Sequence, residues 1–300
     1  MKRILSIAAA GAIVAAILWK YRPGDIVAQM RAGHAVAMIP YPCLVPALFI
    51  FMQCTWDWLV LRATLVPPRY RDLLRGRAAT AVMLILGYVF GHGSFGLWLA
   101  KKTGSKPSTV GGIVVYTMIS DLAAVSLVAS IAVLVGHADV PEGVGIAANV
   151  CAVVPVALVL GAPRVAPGAA IERLRFFEAW RRVPRGIGLV QIVGRAMGIS
   201  FVVSMTWLGA RAFGMPIPFA AFATYCPIIL LVQSLPLNVG GFGAAQAAWL
   251  LLTPWAPGEQ ILAFQFLFGL YMSVAMLVRG VPFLRSVSRE IADGGTSRSA

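Results

Sequence analysis

The sequence predicts an all-α polytopic membrane protein with about six spanning helices and two oppositely oriented re-entrant broken hairpins. Three observations lead to this class. The 300 residues are 59% hydrophobic and only 12% charged, about half the charged fraction of a soluble domain, and mean hydropathy is +0.83. Apolar stretches of about 20 residues recur along the chain, each long enough for the hydrocarbon core of a bilayer. Ser234-Leu-Pro-Leu-Asn-Val-Gly-Gly-Phe-Gly243 interrupts an uncharged apolar run from Phe219 to Leu252. Pro236 removes a backbone donor, and the glycines favour non-helical backbone. Irregular backbone at membrane depth is tolerated where it is buried in protein or lines a wet cavity, and transporters place substrate sites at such breaks.

Taken in order, the apolar segments lie at about 4–20, 36–61, 78–100, 110–135, 144–161, 187–210, 219–252 and 259–284. The charged start Met1-Lys-Arg before Ile4 to Trp19, with Ala8 to Ala10, resembles a signal peptide. More membrane follows instead of an exported domain, so a retained first span is expected. Residues 62–77 carry Arg62, Arg69, Arg71, Arg75 and Arg77 against Asp72, and 101–109 carry Lys101, Lys102 and Lys106. Residues 162–186 carry Arg164, Arg173, Arg175, Arg181, Arg182 and Arg185, whereas 136–143 hold only His137, Asp139 and Glu142 as ionisable groups. The positive-inside rule places the first three loops in the cytoplasm and the fourth outside.

Both loops around 78–100 then claim the cytoplasm. That segment is expected to enter and return on one side, turning at Gly91-His-Gly-Ser-Phe-Gly96. A straight helix over 219–252 would reach about 50 Å, well beyond a core of about 30 Å, so a second hairpin turning near Pro236 to Gly243 is expected. With the N-terminus inside, the first hairpin opens to the cytoplasm and the second to the outside, and Arg285 and Arg289 fall inside. Such a pair is what an inverted repeat produces, with the hairpins meeting near the midplane. Within 164–186, Ile171, Leu174, Phe177 and Trp180 recur at helical spacing between arginines, which fits either an amphipathic helix on lipid headgroups or a solvated connector. Residues 1–284 are expected to form a single transmembrane domain, and 285–300 a polar, disordered cytoplasmic tail. The location is the plasma (inner) membrane, with both termini cytoplasmic.

The formal net charge of +14 sits in loops and ends. Orientation and attraction to anionic lipids explain it, and no nucleic-acid partner is expected, since no recognition fold or basic-aromatic platform is present. Cys43, Cys54, Cys151 and Cys226 are scattered in apolar context without a CxxC pair. They read as small buried hydrophobes, and neither a metal nor a cofactor is expected.

The pattern Leu-Pro-x-x-x-Gly-Gly-x-Gly at 235–243, entering an apolar helix, resembles the lysylphosphatidylglycerol synthase transmembrane family. That family includes the flippase half of bacterial lysyl-phosphatidylglycerol proteins. Gly93-Ser-Phe-Gly96, then Lys101-Lys102-Thr-Gly104, then a helix with Asp121, follow the family's order of glycine-rich break, basic end and acidic helix. The resemblance spans about 4 to 284 and implies a lipid-related membrane function. The chain departs from it at three carboxylate positions. Gly96-Leu97 stands where the family has Gly-Glu, Thr117-Met118 where it has Glu-Arg, and Ala245-Gln246 where it has Arg-Glu. These three neutral positions put the carry-over of a proton-coupled or charge-relay mechanism in doubt.

Intramembrane ionisable residues are functional candidates by default. Asp121 lies mid-way along 110–135. Arg195 lies in Gly194-Arg-Ala-Met-Gly198, whose small residues permit close helix approach. The two either form a structural pair or leave Arg195 to hold a lipid phosphate through its planar fork. Asp57, between Trp56 and Trp58, reads as an interfacial anchor paired with Arg62. His92 and Ser94 at the first break, and Gln233, Asn238 and Gln246 around the second, either bind headgroup oxygens or satisfy backbone groups freed by the breaks. Lys101, Lys102 and Arg279 lie near membrane ends and read as snorkelling or orientation charges. The candidate substrate-binding set is Arg195, Asn238, Gly240, Gly241, Gly243, Gln246, His92, Ser94 and Asp121, with no catalytic residue. There is no GxSxG, HExxH or Walker loop.

The function expected is a lipid transporter of flippase type, not an enzyme. It would move a lipid with an anionic or phosphate-bearing headgroup, with the glycine breaks as hinges and gates. The alternatives are a membrane glycosyl- or aminoacyl-transferase-related protein and a non-transporting scaffold for lipid-synthesis enzymes. The expected partners are membrane lipids, with a homodimer or a lipid-synthesis enzyme as further options.

Overall fold

A computed structural model describes residues 2–135, 142–161, 180–234, 238–239 and 242–292. Among them the chain is helical almost throughout. The helices are α1 (Lys2–Lys20), α2 (Pro23–Ala32), α3 (Ala35–Met38), α4 (Pro40–Thr64), α5 (Tyr70–Ala81), α6 (Tyr88–Thr103), α7 (Pro107–Val135), α8 (Glu142–Leu160), α9 (Arg185–Ala212), α10 (Phe219–Ser234), α11 (Ala244–Trp249) and α12 (Gly258–Ala292). A two-residue antiparallel pair joins β1 (Asn238–Val239) to β2 (Phe242–Gly243).

Among the described residues, four stretches are long and apolar enough to cross a membrane, namely Ala35–Thr64, Pro107–Val135, Arg185–Ala212 and Gly258–Ala292. Each coincides with an expected span. The other two expected spans fall on α1 and α8, helices of 19 residues each that are not among these four. Prolines stand inside α4, α8, α10 and α12 at Pro46, Pro155, Pro227 and Pro282. Membrane helices accept them because neighbouring groups re-satisfy the freed carbonyls.

The segment around 78–100 does break and turn back, but not where the glycine spacing placed the turn. α5 passes into a 3-10 turn, Val82–Leu86, which ends at Gly87 with φ 142 and ψ 155. Only glycine adopts that conformation without strain. Gly91 to Gly96 lie inside α6. Gly91 serves there as a contact surface: a Cβ on it would sit 2.3 Å from Leu84 Cδ2, so its bareness lets the returning helix press on the turn. The two arms pack together, with Gly76 of α5 beneath the ring of Trp98. Their outer ends lie side by side, Lys102 Nζ being 3.9 Å from Asp72 Oδ2.

The second break falls where Pro236 and the glycines put it. α10 ends at Ser234, β1 and β2 pair in the register Asn238 with Gly243 and Val239 with Phe242, and α11 begins at Ala244. A 3-10 turn, Leu250–Leu252, completes the return. The arms close through Phe222 and Trp249, ring centroids 6.1 Å apart, and Trp249 also meets Phe264 of α12 at 5.7 Å. α1 runs beside the β pair and α11.

Two further expectations are corrected or left aside. α12 continues helical to Ala292, past the expected boundary at 284, because Ser286 and Glu290 find partners on α5 and α6. The amphipathic stretch before Trp180, together with Gly240 and Gly241, lies outside the described residues. Trp180 itself is buried and donates through Nε1 to Gly112 O at 2.7 Å. Cys54 and Cys226 are buried, as expected of small hydrophobes.

The chain divides into two compact units. One comprises 1–47, 125–150 and 198–275; the other comprises 48–124, 151–197 and 276–300. The second break lies in the former and the first break in the latter.

Candidate functional site

The unit that holds the first break also contains a buried network of four charges. α4 contributes Asp57, α5 Arg77, α7 Asp121 and α9 Arg195, and all four are buried. Arg195 Nη1 donates to Asp121 Oδ1, Arg195 Nη2 to Asp57 Oδ1, and Arg195 Nε to Gln191 Oε1 at 2.7 Å. Arg77 Nη2 donates to the other oxygen of Asp57 at 2.9 Å. Asp57 thus bridges two guanidinium groups. Two arginines and two aspartates leave the network neutral, the condition under which ions persist away from water.

Sequence places these groups on one another. Gln191 and Arg195 are one helical turn apart on α9, as are Gln53 and Asp57 on α4, so each pair shares a face. Gln53 Nε2 donates to Asp121 Oδ2 at 3.3 Å, and Tyr88 of α6 donates its hydroxyl to the same oxygen at 3.3 Å. Gln191 Nε2 donates to the Trp56 carbonyl. Gly194 makes the close approach possible: a Cβ there would lie 2.2 Å from the Trp56 ring. α9 can therefore lie against α4 at the level of the charges.

The two carboxylates are held differently. Asp57 accepts from two arginines, and its side chain is 3% exposed. Asp121 has one arginine and two neutral donors, and its side chain is 12% exposed. Asp121 is the more accessible and less strongly charged-paired side of the network. Arg77 also lies over the Phe95 ring at 4.2 Å, and its Nε, though buried, has no hydrogen-bond partner among the described residues.

The structure brings Arg195 and Asp121 together, so they form the pair that the sequence offered as one of two readings. His92 is buried beside them, its Nδ1 3.5 Å from Arg77 Nη1 and its ring 4.3 Å from that of Tyr88. Ser94 stands apart from the charges and donates to the Gly91 carbonyl within its own helix at 3.0 Å. Asn238 and Gly243 pair through the β bridge and Gln246 is buried on α11, all in the other unit. Asp57 is not an interfacial anchor paired with Arg62, whose guanidinium lies over the Trp58 ring at 4.7 Å.

Sequence reasoning missed Asp57, Arg77, Gln53, Gln191 and Tyr88 as members of this network. Flanking tryptophans made Asp57 look interfacial, and Arg77 was counted with the loop arginines before it. The available signal was the pair of polar i, i+4 spacings, Gln53/Asp57 and Gln191/Arg195, in otherwise apolar helices.

The family described as the lysylphosphatidylglycerol synthase TM region matches residues 3–280. That match covers nearly the whole chain. The chain belongs to this family. No sequence among curated proteins matches it. As a member of the lysylphosphatidylglycerol synthase TM region family, with helices long and apolar enough to span a bilayer, it is a membrane protein.

Proposed function

We propose that this member of the family is a lipid transporter of flippase type in the plasma membrane, moving a lipid with a phosphate-bearing headgroup. The observation that carries the reading is the neutral network of Asp57, Arg77, Asp121 and Arg195, buried within helices that an apolar solvent surrounds. Charges at such depth are costly, and they mark substrate pathways more often than they mark fold stability. Both helix breaks support it. The arms of α5–α6 and of α10–α11 are each too short to cross a core of about 30 Å, and in each the chain turns back, as re-entrant elements of transporters do.

Arg195 already uses all three of its nitrogens within the protein. A headgroup phosphate reaches it by taking the place of Asp121, whose other oxygen is held by the neutral partners Gln53 and Tyr88. Phosphate matches the planar fork of arginine at least as well as carboxylate does. Asp57 and Arg77 stay in place and hold Arg195 in register while the exchange occurs. In this reading Asn238, Gly240, Gly241, Gly243 and Gln246 at the second break, with His92 and Ser94 at the first, are supporting elements. Basic loops 62–77, 101–109 and 162–186 face the cytoplasm with both termini.

The test is reconstitution into liposomes with labelled lipids of anionic, aminoacylated and zwitterionic headgroups, followed from inner to outer leaflet with and without a pH gradient. Protein-dependent movement selective for headgroup is expected, with a loss of at least about tenfold in Arg195→Lys, which keeps the charge but not the fork. No movement of any lipid by folded protein would overturn the reading and leave a scaffold or a transferase partner.

A further inference from the structure

A second cluster of charges lies in the same unit, at the open end of the α5–α6 hairpin, and neither the family nor the transport reading accounts for it. Glu290, near the end of α12, accepts from both arms at once. Arg75 Nη2 of α5 reaches Oε1 at 3.1 Å, Trp98 Nε1 of α6 reaches Oε2 at 3.0 Å, and Lys102 Nζ of α6 lies 3.5 Å from Oε2. Arg75 also donates to Ser286 Oγ at 3.4 Å. Asp72 closes the ring, 3.7 Å from Arg75 Nη1 and 3.9 Å from Lys102 Nζ. Trp98 is itself buried and packs on Gly76 of the opposite arm. One carboxylate therefore ties three groups from two arms, whose other polar contact at this end is the longer Asp72–Lys102 pair.

We infer that Glu290 is a latch: the end of α12 clamps the α5–α6 hairpin shut at its open end, and releasing the carboxylate lets the arms and α12 part. The deep network cannot play this part, since its side chains are almost wholly enclosed. The charged latch side chains are between 26% and 39% exposed, which leaves them open to salt and to competing ions. Packing adds a second hold between α12 and α5, where Gly280 comes so close to Ala78 that a Cβ would sit 2.5 Å from its carbonyl oxygen. The latch thus controls the outer ends of the arms while the inner contact persists. The inference does not depend on the cargo or on transport.

The test is amide hydrogen exchange read by mass spectrometry on the full chain in nanodiscs. Glu290→Gln is expected to speed exchange in 88–103 and 280–290 by about fivefold, the scale of a partly exposed ion-pair cluster, with 219–234 unchanged. Raising salt from about 50 mM to about 1 M should do the same to the parent chain and add little to Glu290→Gln. Unchanged exchange in Glu290→Gln, or an equal rise in every segment, overturns the latch. If Glu290→Gln does not fold, the salt series on the parent chain decides: no selective rise in 88–103 and 280–290 overturns it.

Discussion

Asp57 shows how unequal members of one network can be. It bridges Arg77 and Arg195, so removing it strands two buried guanidinium groups at once. Asp57→Ala should cost about 3–5 kcal/mol, the range for leaving a buried charge uncompensated, read as a fall in the thermal midpoint in detergent. Pairing it with Arg77→Met removes one charge of each sign and should recover much of that loss. Asp121→Asn should cost less, because the amide oxygen can still accept from Arg195 while its NH2 faces Tyr88 and Gln53, which can both turn to accept, and Arg195 keeps Asp57. The same variant should retain more anionic lipid through purification than the parent chain, counted by mass spectrometry, if phosphate competes with Asp121 for Arg195. Gly194→Leu tests the packing beneath: a side chain driven into Trp56 should destabilise by about 1–3 kcal/mol without changing any charge.

Between elements, the instructive case is the first hairpin. That the chain turns back there was legible from loop charges, since basic residues on both sides of 78–100 argue for a return. Its turning point was not. Six residues from Gly91 to Gly96 looked like a turn because glycine is the commonest punctuator, yet a single glycine with φ 142 does the turning, while Gly91 and Gly96 serve packing. Composition cannot separate a glycine needed for its backbone from one needed for its lack of a side chain. Gly87→Ala should therefore destabilise by about 1–3 kcal/mol, whereas Gly93→Ala, whose Cβ would meet nothing within 4 Å, should be neutral or stabilising by up to about 1 kcal/mol. Unfolding of both variants in detergent checks the assignment. The reverse ranking would return the turn to the Gly91–Gly96 stretch.

For the whole molecule, the expectation concerns sides of a membrane. Cysteines replacing Arg69 and Lys106, both exposed next to the two ends of the first hairpin, should react with an impermeant reagent from the same side in oriented vesicles. A cysteine replacing Thr253, exposed at the end of the second hairpin, should react only from the other. Labelling of 69 and 106 from opposite sides would sink the re-entrant reading of α5–α6, and labelling of 253 with 69 would sink the inverted orientation of the two breaks. Glu290 belongs to this scale too. Its partners lie more than 180 residues away on the chain, and a reading that ended the membrane domain at 284 had no reason to look for them.

By itself, the sequence determined that this is a helical membrane protein, where its long spans run, that the chain breaks somewhere within 78–100 and again near 235–243, and which family it belongs to. These follow from properties summed along a segment: hydropathy over about 20 residues, charge per loop, and the backbone limits of proline and glycine. Only the tertiary structure decided which charges meet. Asp57, Arg77, Asp121 and Arg195 come from four helices, and Glu290, on a fifth, reaches one of these and a sixth. In an apolar solvent a lone charge is costly wherever it stands, so the sequence shows that each needs a partner. Which partner it takes depends on helix rotation and on close approaches such as Gly194 on Trp56, and those are set by packing between segments far apart in the chain.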